Sequence, residues 1–528
     1  MTEHPSTNST ARQPVRFVDT SLRDGNQSLW GATGLTTGMV EAVGPDLAQI
    51  GLEAIDFTSS TNLLMGSKTH HEDPWERISR MHAVAGGTPL SAITTGMRFM
   101  SWDRASETVM RLSLRLMAKH GLTRLQIADP MNDVDSVRTI ARWAKEEGIE
   151  NVVAATTFTE SPIHTDDTYV RAAREFSKDA NIDAVYLKDP GGLLTYERIG
   201  HLIPALREVI VGKPLELHSH CTTGEAPQVY MLAAQLGVDV LHTGIGALAN
   251  GTAQPEMLSV MDNLDALGIP YTADRAAVER AAATIARIAD QQQLPAGQTM
   301  PFDLSPHAHQ VPGGMMGTLK RQLKELRIED DLPAVIAETG AVRAELGYPI
   351  MVTPFSQFVG SQALMNVLAA KSGQERYNRI PDEVVRFVLG HFGTPVGEID
   401  PIIVEKVGSL PRAKELKMDP THDRPLEDLR ADQQKKLGRP VTDEELLLRL
   451  VMAPDLLDSV RAAGPAPVWN GAGKNVRATG PVQGLGDVIR AVNALPNWKS
   501  LEIRRDNQHI RLRRRDDAGT GHTAGGRK

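Results

Sequence analysis

From Arg16 to about Tyr271, short apolar runs alternate with stretches whose apolar residues recur at helical spacing. Eight runs stand out: Arg16–Ser21, Glu53–Ser59, Leu90–Thr95, Arg124–Asp129, Asn151–Thr157, Ala184–Asp189, Leu215–His220 and Val240–Gly244. Each ends in small or polar residues, and a helix-like stretch such as Ala105–His120, Val134–Glu147 or Thr168–Lys178 follows. The runs recur roughly every thirty residues, the size of a βα unit. Eight alternating units within ~250 residues predict a (β/α)8 TIM barrel. An open doubly wound sheet is the competing architecture, but its dinucleotide fingerprint is missing from the first turn.

Beyond about Ala273 the pattern changes. Helical segments dominate at Arg275–Gln292, Thr318–Leu326, Asp331–Leu346, Gln357–Ala370 and Thr442–Val451, which predicts a helical domain appended to the barrel. Pro454 to Gly486 is rich in Gly, Ala and Pro and reads as a linker. Leu485, Val488, Ile489, Val492 and Leu495 then recur at helical spacing before Pro496. Leu501 and Ile503 alternate with charges, Asp506-Asn507 offer a turn, and Ile510 and Leu512 alternate again, a helix plus a hairpin. So small a unit either docks on something else or packs on its own barrel. The expected division is a disordered tail 1–14, a barrel 15–300, a helical domain 301–453, a linker 454–484, a helix–hairpin element 485–516 and a disordered tail 517–528.

With 528 residues, the chain exceeds one ordinary domain. Its net charge of −8 argues against nucleic-acid binding driven by overall charge. A single cysteine, Cys221, excludes an intrachain disulfide framework. No run approaches the ~18 apolar residues that span a bilayer, and polar Met1–Pro14 lacks the apolar core of a secretory signal. The expectation is a cytoplasmic protein without membrane insertion.

In a barrel of this kind the site lies at the C-terminal ends of the strands. The first run ends in Asp19 and continues into a polar loop holding Arg23, Asp24 and Gln27. The seventh ends His218-Ser219-His220, and residues two apart on a strand share a face. Two imidazoles with Asp19 make a donor set for a divalent metal. Lys188 ends the sixth run. It could form a salt bridge to Asp19 or Asp24, act as a Schiff-base amine activated by desolvation, or capture CO2 as a carbamate ligand. Chemistry alone leaves all three open.

The residues Asp19-Thr20-Ser21-Leu22-Arg23-Asp24-Gly25-Asn26-Gln27-Ser28 resemble the opening motif of the carboxyltransferase family of biotin-dependent enzymes, which includes pyruvate carboxylase, oxaloacetate decarboxylase alpha and the transcarboxylase carboxyltransferase subunit. The likeness is colinear from about Arg16 to Pro401. It continues through Asp73–Arg77, Asp129–Asp133, Lys188-Asp189, His218–Gly224, Leu248–Thr252, Val311–Met315, Val352–Pro354 and Gly393–Pro401. The resemblance implies a divalent metal (zinc, manganese or cobalt) on Asp19, His218, His220 and a carbamylated Lys188. It implies Arg23 and Gln27 at the substrate, Asp24 supporting the metal shell, and Thr353 passing a proton between biotin and substrate. The implied reaction transfers a carboxyl group from carboxybiotin to an enolate such as that of pyruvate, or the reverse from oxaloacetate.

Some positions depart from the family. Thr95 stands where relatives place a substrate-binding arginine, and Arg98, three residues on, is the candidate to compensate. Asn26 stands for a histidine and Trp102 for the usual tyrosine. These departures leave either pyruvate or a different carbonyl acceptor, one larger or less charged than pyruvate. No biotin-accepting lysine is recognisable: Leu416-Lys417-Met418 is followed by Asp419-Pro420 and reads as a loop. Biotin is therefore expected on a separate carrier chain, with biotin carrier protein and biotin carboxylase subunits as partners and a homodimer or higher oligomer. The segment Val488–Arg515 is similar to the stretch ahead of the biotinyl domain in related carriers. Two other readings compete: a metal-dependent aldol or Claisen-type lyase or synthase such as isopropylmalate synthase or hydroxymethylglutaryl-CoA lyase, and a non-catalytic assembly protein.

Overall fold

The computed structural model describes residues 13–101, 104–311, 313–417, 423–469, 471, 500–505 and 508–513. Eight parallel strands close into a barrel in chain order. They are β1 (Arg16–Asp19), β2 (Ala54–Ser59), β3 (Leu90–Thr94), β4 (Arg124–Ile127), β5 (Asn151–Thr157), β6 (Ala184–Asp189), β7 (Leu215–Ser219) and β8 (Val240–Thr243). All eight coincide with the apolar runs, and the barrel expectation holds. Apart from the half-buried first residues Arg16 and Asn151, the strands are buried because helices cover their outer faces while the lumen is filled.

The pairing registers fix which side chains enter the lumen. Val18 pairs with Ala54 and with His242, and Val18, Ala54 and Val240 form one small inner cluster. Asp19 pairs with Ile55, a member of the outer core between strands and helices. On β6 and β7 the inward series runs Tyr186, Lys188 and Glu216, His218, with Tyr186 beside Glu216 and Lys188 beside His218. A register shift between Asp56 and Thr58 bends β2 as it reaches the mouth.

Helices from Gly313 to Gly408 gather over the barrel mouth around a core of their own. Its centre is an aromatic cluster of Phe355, Phe358, Phe387 and Phe392, with neighbouring ring centroids 5.4–6.1 Å apart. Met131, from the loop after β4, is part of that core. The roof is held down by polar clamps. Arg343 donates to Thr159 Oγ1 at 2.9 Å and to the Glu160 carbonyl at 3.0 Å. Gln310 Oε1 accepts from Thr159 Oγ1 at 2.7 Å, and His307 Nδ1 lies 2.6 Å from Glu160 Oε2.

The last part of the expected helical domain behaves differently. Val441, Leu446–Leu448 and Met452 join the barrel's outer core, not the roof. The linker expectation fails over its first part. Pro454–Ala463 is a helix with Leu457 and Val460 buried, and Pro454 suits its first turn. The chain beyond it straps back onto the barrel wall, where Trp469 Nε1 donates to Gln291 Oε1 at 3.1 Å. The Gly-, Ala- and Pro-rich surroundings hid a periodicity carried by Leu456, Leu457 and Val460.

Residues 476–528 form a second unit. In it, Ser500–Arg505 and Gln508–Arg513 pair antiparallel, as the alternation predicted, with Ile503 opposite Ile510. Residues 1–12 of the expected tail 1–14, the tail 517–528, the expected helix Leu485–Leu495, Trp102 and Met418 lie outside the described residues. No described helix is long and apolar enough to cross a membrane.

Candidate metal centre and substrate pocket

After β1 the chain makes a π-helical turn, Ser21–Gly25, that folds Arg23 and Asp24 back over the barrel mouth. A side chain at Gly25 would place its Cβ 2.3 Å from the Leu248 carbonyl, so the close approach of this turn to the loop after β8 needs glycine. Asp24 Oδ2 then lies 3.0 Å from His218 Nε2 and 3.3 Å from His220 Nε2. The two Nε2 atoms are 3.3 Å apart, and Lys188 Nζ is 3.2 Å from His218 Nε2. Among the described residues, Asp24, His218 and His220 form the one group of three acidic, histidine or cysteine side chains whose donor atoms converge this closely.

The structure thus joins the two histidines to Asp24, where the sequence expectation used Asp19. The reason is strand alternation: Val18 faces the lumen, so Asp19 faces outward with Ile55. Its Oδ1 accepts from the Ser21 amide at 3.1 Å and the Ser21 hydroxyl at 2.6 Å. Two other aspartates, one just past the end of β4 and one ending β6, cap their own loops likewise. Asp129 accepts from the Met131 and Asp133 amides, and Asp189 from those of Leu193 and Leu194. Burial pushes the Asp19 carboxyl up to about 7.

Electrostatics separate these carboxyls. Burial opposes ionisation of Asp24 most strongly, but Arg23 at 3.2 Å and the two imidazoles outweigh it and hold its pKa well below the usual range. Arg23 also donates from Nε to Asp56 Oδ2 at 2.8 Å, so two buried carboxylates balance its charge. Burial brings the Lys188 amine down to about 8 and, with Lys188 nearby, drives His218 well below its ordinary value. Gln254 Nε2 sits 3.1 Å from His218 Nε2.

The donor chemistry fits a divalent metal. One ionised carboxylate and two imidazole Nε2 atoms point at a common centre, beside an amine. His220 Nδ1 is 2.6 Å from the Thr252 carbonyl, the outer bond typical of a metal-binding histidine.

The cluster opens into a cavity of about 570 Å³ between barrel and roof. Arg23, Gln27, Thr95, Lys188, His220 and Thr353 all line it. Arg98 does not. Paired backbone bonds between Thr95 and Arg98 close a tight turn, and the Arg98 side chain leaves toward the roof. There its guanidinium lies 4.0 Å from the Phe392 ring centre and donates to the His391 carbonyl at 3.1 Å. The expected compensation of Thr95 by Arg98 is not made. Asp56, Gln254, Glu216 and His242 were not foreseen, although Glu216 precedes His218 by two residues on one strand face.

A family model described as HMGL-like matches residues 14–285, and one described as conserved carboxylase domain matches residues 307–463. A pyruvate carboxylase subunit from Methanocaldococcus jannaschii is 32% identical over 396 residues, 74% of this chain and 68% of that one. The chain belongs to the carboxyltransferase family of biotin-dependent enzymes. Another family member, the 2-oxoglutarate carboxylase large subunit of Hydrogenobacter thermophilus, is 29% identical over 445 residues, covering 83% of this chain and 67% of that one. The complete multifunctional pyruvate carboxylase of Rhizobium etli shares the fold, with a TM-score of 0.77 at 24% identity over 86% of this chain. The chain spans 46% of that enzyme's length. The lyase or synthase reading rested on the barrel motifs, whereas the second matched model covers the roof, as expected for a carboxyltransferase.

Proposed function

We propose that this chain is the carboxyltransferase subunit of a multisubunit, cytoplasmic biotin-dependent enzyme. It moves a carboxyl group between carboxybiotin on a separate carrier chain and the enolate of a carbonyl acceptor. The observation that carries this reading is the convergence of Asp24, His218, His220 and Lys188 at the head of a roofed cavity that also holds Thr353. A zinc, manganese or cobalt ion on Asp24, His218, His220 and a carbamylated Lys188 would supply a Lewis acid for the acceptor carbonyl.

The chain's own residues do the rest. Arg23, fixed by Asp24 and Asp56, presents donors to the oxygen on which charge develops. Gln27 lines the same wall. The Thr353 hydroxyl takes the proton lost by the acceptor's α-carbon and passes it to the ureido nitrogen from which the carboxyl departs; the α-carbon then bonds that carboxyl. The roof excludes water that would otherwise protonate the enolate. Carrier and biotin carboxylase subunits complete the enzyme, with the chain in a homodimer or higher oligomer.

The wall around Thr95 also carries Ser59, Ser60, Thr61 and Thr157, all neutral, and Arg98 is turned away. This supports an acceptor larger or less charged than pyruvate, bound there through hydroxyls. Thr95→Arg is expected to shift preference toward pyruvate, and unchanged pyruvate KM and turnover would count against that acceptor class. The function itself is tested in reverse. The chain is incubated with free biotin and a panel of carboxylated acceptors, and decarboxylation is followed. Metal- and biotin-dependent turnover that Thr353→Ala abolishes supports the reading. Turnover on none of the panel, together with no biotinylated chain co-purifying from native cells on a streptavidin blot, rejects it.

A further inference from the structure

Beneath the metal-binding cluster the barrel lumen holds charged side chains that the chemistry above does not use. Arg124, Glu216 and His242, on β4, β7 and β8, are at most 2% exposed. Arg124 Nη2 donates to both Glu216 oxygens, at 2.6 and 2.7 Å. Glu216 Oε2 lies 2.8 Å from His242 Nε2. His242 Nδ1 lies 3.2 Å from His218 Nδ1. The His242 ring is held in plane by stacking on Tyr186, with centroids 5.5 Å apart and planes at 11°. It meets His218 edge-on, at 5.3 Å and 80°.

The contacts form an unbroken row, and the donor count along it has one solution for neutral rings. A guanidinium has donors only, so the Glu216 carboxylate it grips is an acceptor. The proton between Glu216 and His242 therefore sits on His242 Nε2. A neutral imidazole protonated there has its lone pair on Nδ1. The contact between the two Nδ1 atoms is then a hydrogen bond only if His218 carries its proton on Nδ1. That leaves the His218 Nε2 lone pair to accept from Gln254 Nε2 at 3.1 Å or Lys188 Nζ at 3.2 Å, while Asp24 Oδ2, 3.0 Å away, is the one acceptor that competes for a proton on Nε2.

We propose that Arg124, Glu216 and His242 are positioning residues that lock His218 in its Nδ1–H tautomer and so present its Nε2 to the metal. The inference rests on the metal-centre reading of Asp24, His218 and His220. His220 is fixed by a backbone carbonyl, which no substitution removes. The other imidazole, His218, depends on a three-residue side-chain relay that substitution can break or reverse.

Three variants of the full chain distinguish the possibilities. His242→Phe removes the acceptor. His242→Gln restores both bonds, its amide oxygen accepting from His218 and its NH2 donating to Glu216. Glu216→Gln keeps its oxygen toward Arg124 and turns its NH2 toward His242, which reverses the relay and forces the His218 proton to Nε2. Two readouts are taken: the His218 ring tautomer in metal-free, 15N-histidine-labelled protein, and zinc affinity by competition with a chromophoric chelator. Wild type should show Nδ1–H. His242→Phe and Glu216→Gln should shift the ring toward Nε2–H and weaken zinc binding roughly 10–100-fold, while His242→Gln stays within a few-fold of wild type. An Nε2–H ring in the wild type overturns the proposal. So does zinc binding within a few-fold of wild type in both His242→Phe and Glu216→Gln. If His242→Phe does not fold, the contrast between His242→Gln and Glu216→Gln decides it. Wild-type protein that binds no zinc would sink the metal-centre reading instead, while the tautomer still reports on the relay.

Discussion

Asp24→Asn set against Asp19→Asn is the most direct probe of the metal centre. Asp24 Oδ2 stands 3.0 and 3.3 Å from the two Nε2 atoms, so a metal held by the imidazoles would contact it directly. Two unit charges ~4 Å apart interact by about 4 kcal/mol at an effective dielectric of ~20, and direct contact at ~2 Å makes the Coulomb loss from removing the Asp24 charge larger. A divalent ion doubles the Coulomb term, and desolvation of both partners offsets part of it. An expected loss on the order of 4 kcal/mol corresponds to roughly a thousandfold in metal Kd. Folding should be less affected, because Arg23 keeps its Nε bond to Asp56. Asp19 faces the outer core, and its Oδ1 bonds to Ser21 can be reproduced by an amide oxygen. Asp19→Asn should therefore bind metal within a few-fold of wild type. The assay is metal content after dialysis together with chelator competition. Refutation would be the reverse pattern, in which Asp24→Asn retains metal and Asp19→Asn loses it.

Other outcomes follow from the same geometry. Asp19, at about 7 in the fold against 3.8 in a free chain, keeps its proton between those values while the unfolded chain releases it, so stability falls as pH rises from about 4 to 7. The full effect is at most about 4 kcal/mol; urea midpoints of Asp19→Asn should pull ahead of wild type across that window, and parallel curves would contradict the burial argument. Only a neutral amine attacks CO2, so with Lys188 at about 8 the mass gain from CO2 on that residue should rise with pH through this value, whereas a flat profile between roughly pH 6 and 9 would remove the carbamate idea. Arg98→Leu breaks the stack on Phe392 and the bond to the His391 carbonyl, and should cost about 1–3 kcal/mol of stability with little change in acceptor KM. A large KM increase with unchanged stability would return Arg98 to the pocket.

The barrel was legible because every strand is a short apolar run set off by helical periodicity, and that signal does not depend on tertiary detail. The phase of β1 was not. Its residues are covered on both faces, so Arg16–Asp19 carries no polar alternation to tell which side looks inward. His218 and His220 revealed their own phase because two imidazoles two residues apart have one sensible common face. Asp24 reaches the site through a π-helical turn whose geometry no local residue pattern announces. The Arg98 side chain is set by a roof that is remote in sequence, since Phe392 lies almost three hundred residues away. The relay under His218 was readable in principle, from Glu216 two residues before it and from the single histidine on the eighth strand.

The roof over the mouth has its own aromatic core and meets the loop after β5 through a few polar clamps, Arg343, Gln310 and His307. Such a unit can open as one cooperative block while the barrel stays closed, because opening breaks those clamps, the Arg98–Phe392 stack and the seat of Met131 but leaves the barrel core intact. Amide hydrogen exchange in the roof helices should then share a common opening free energy, well below that of the β-strands. Entry of the acceptor and exchange of those amides would be gated by the same event.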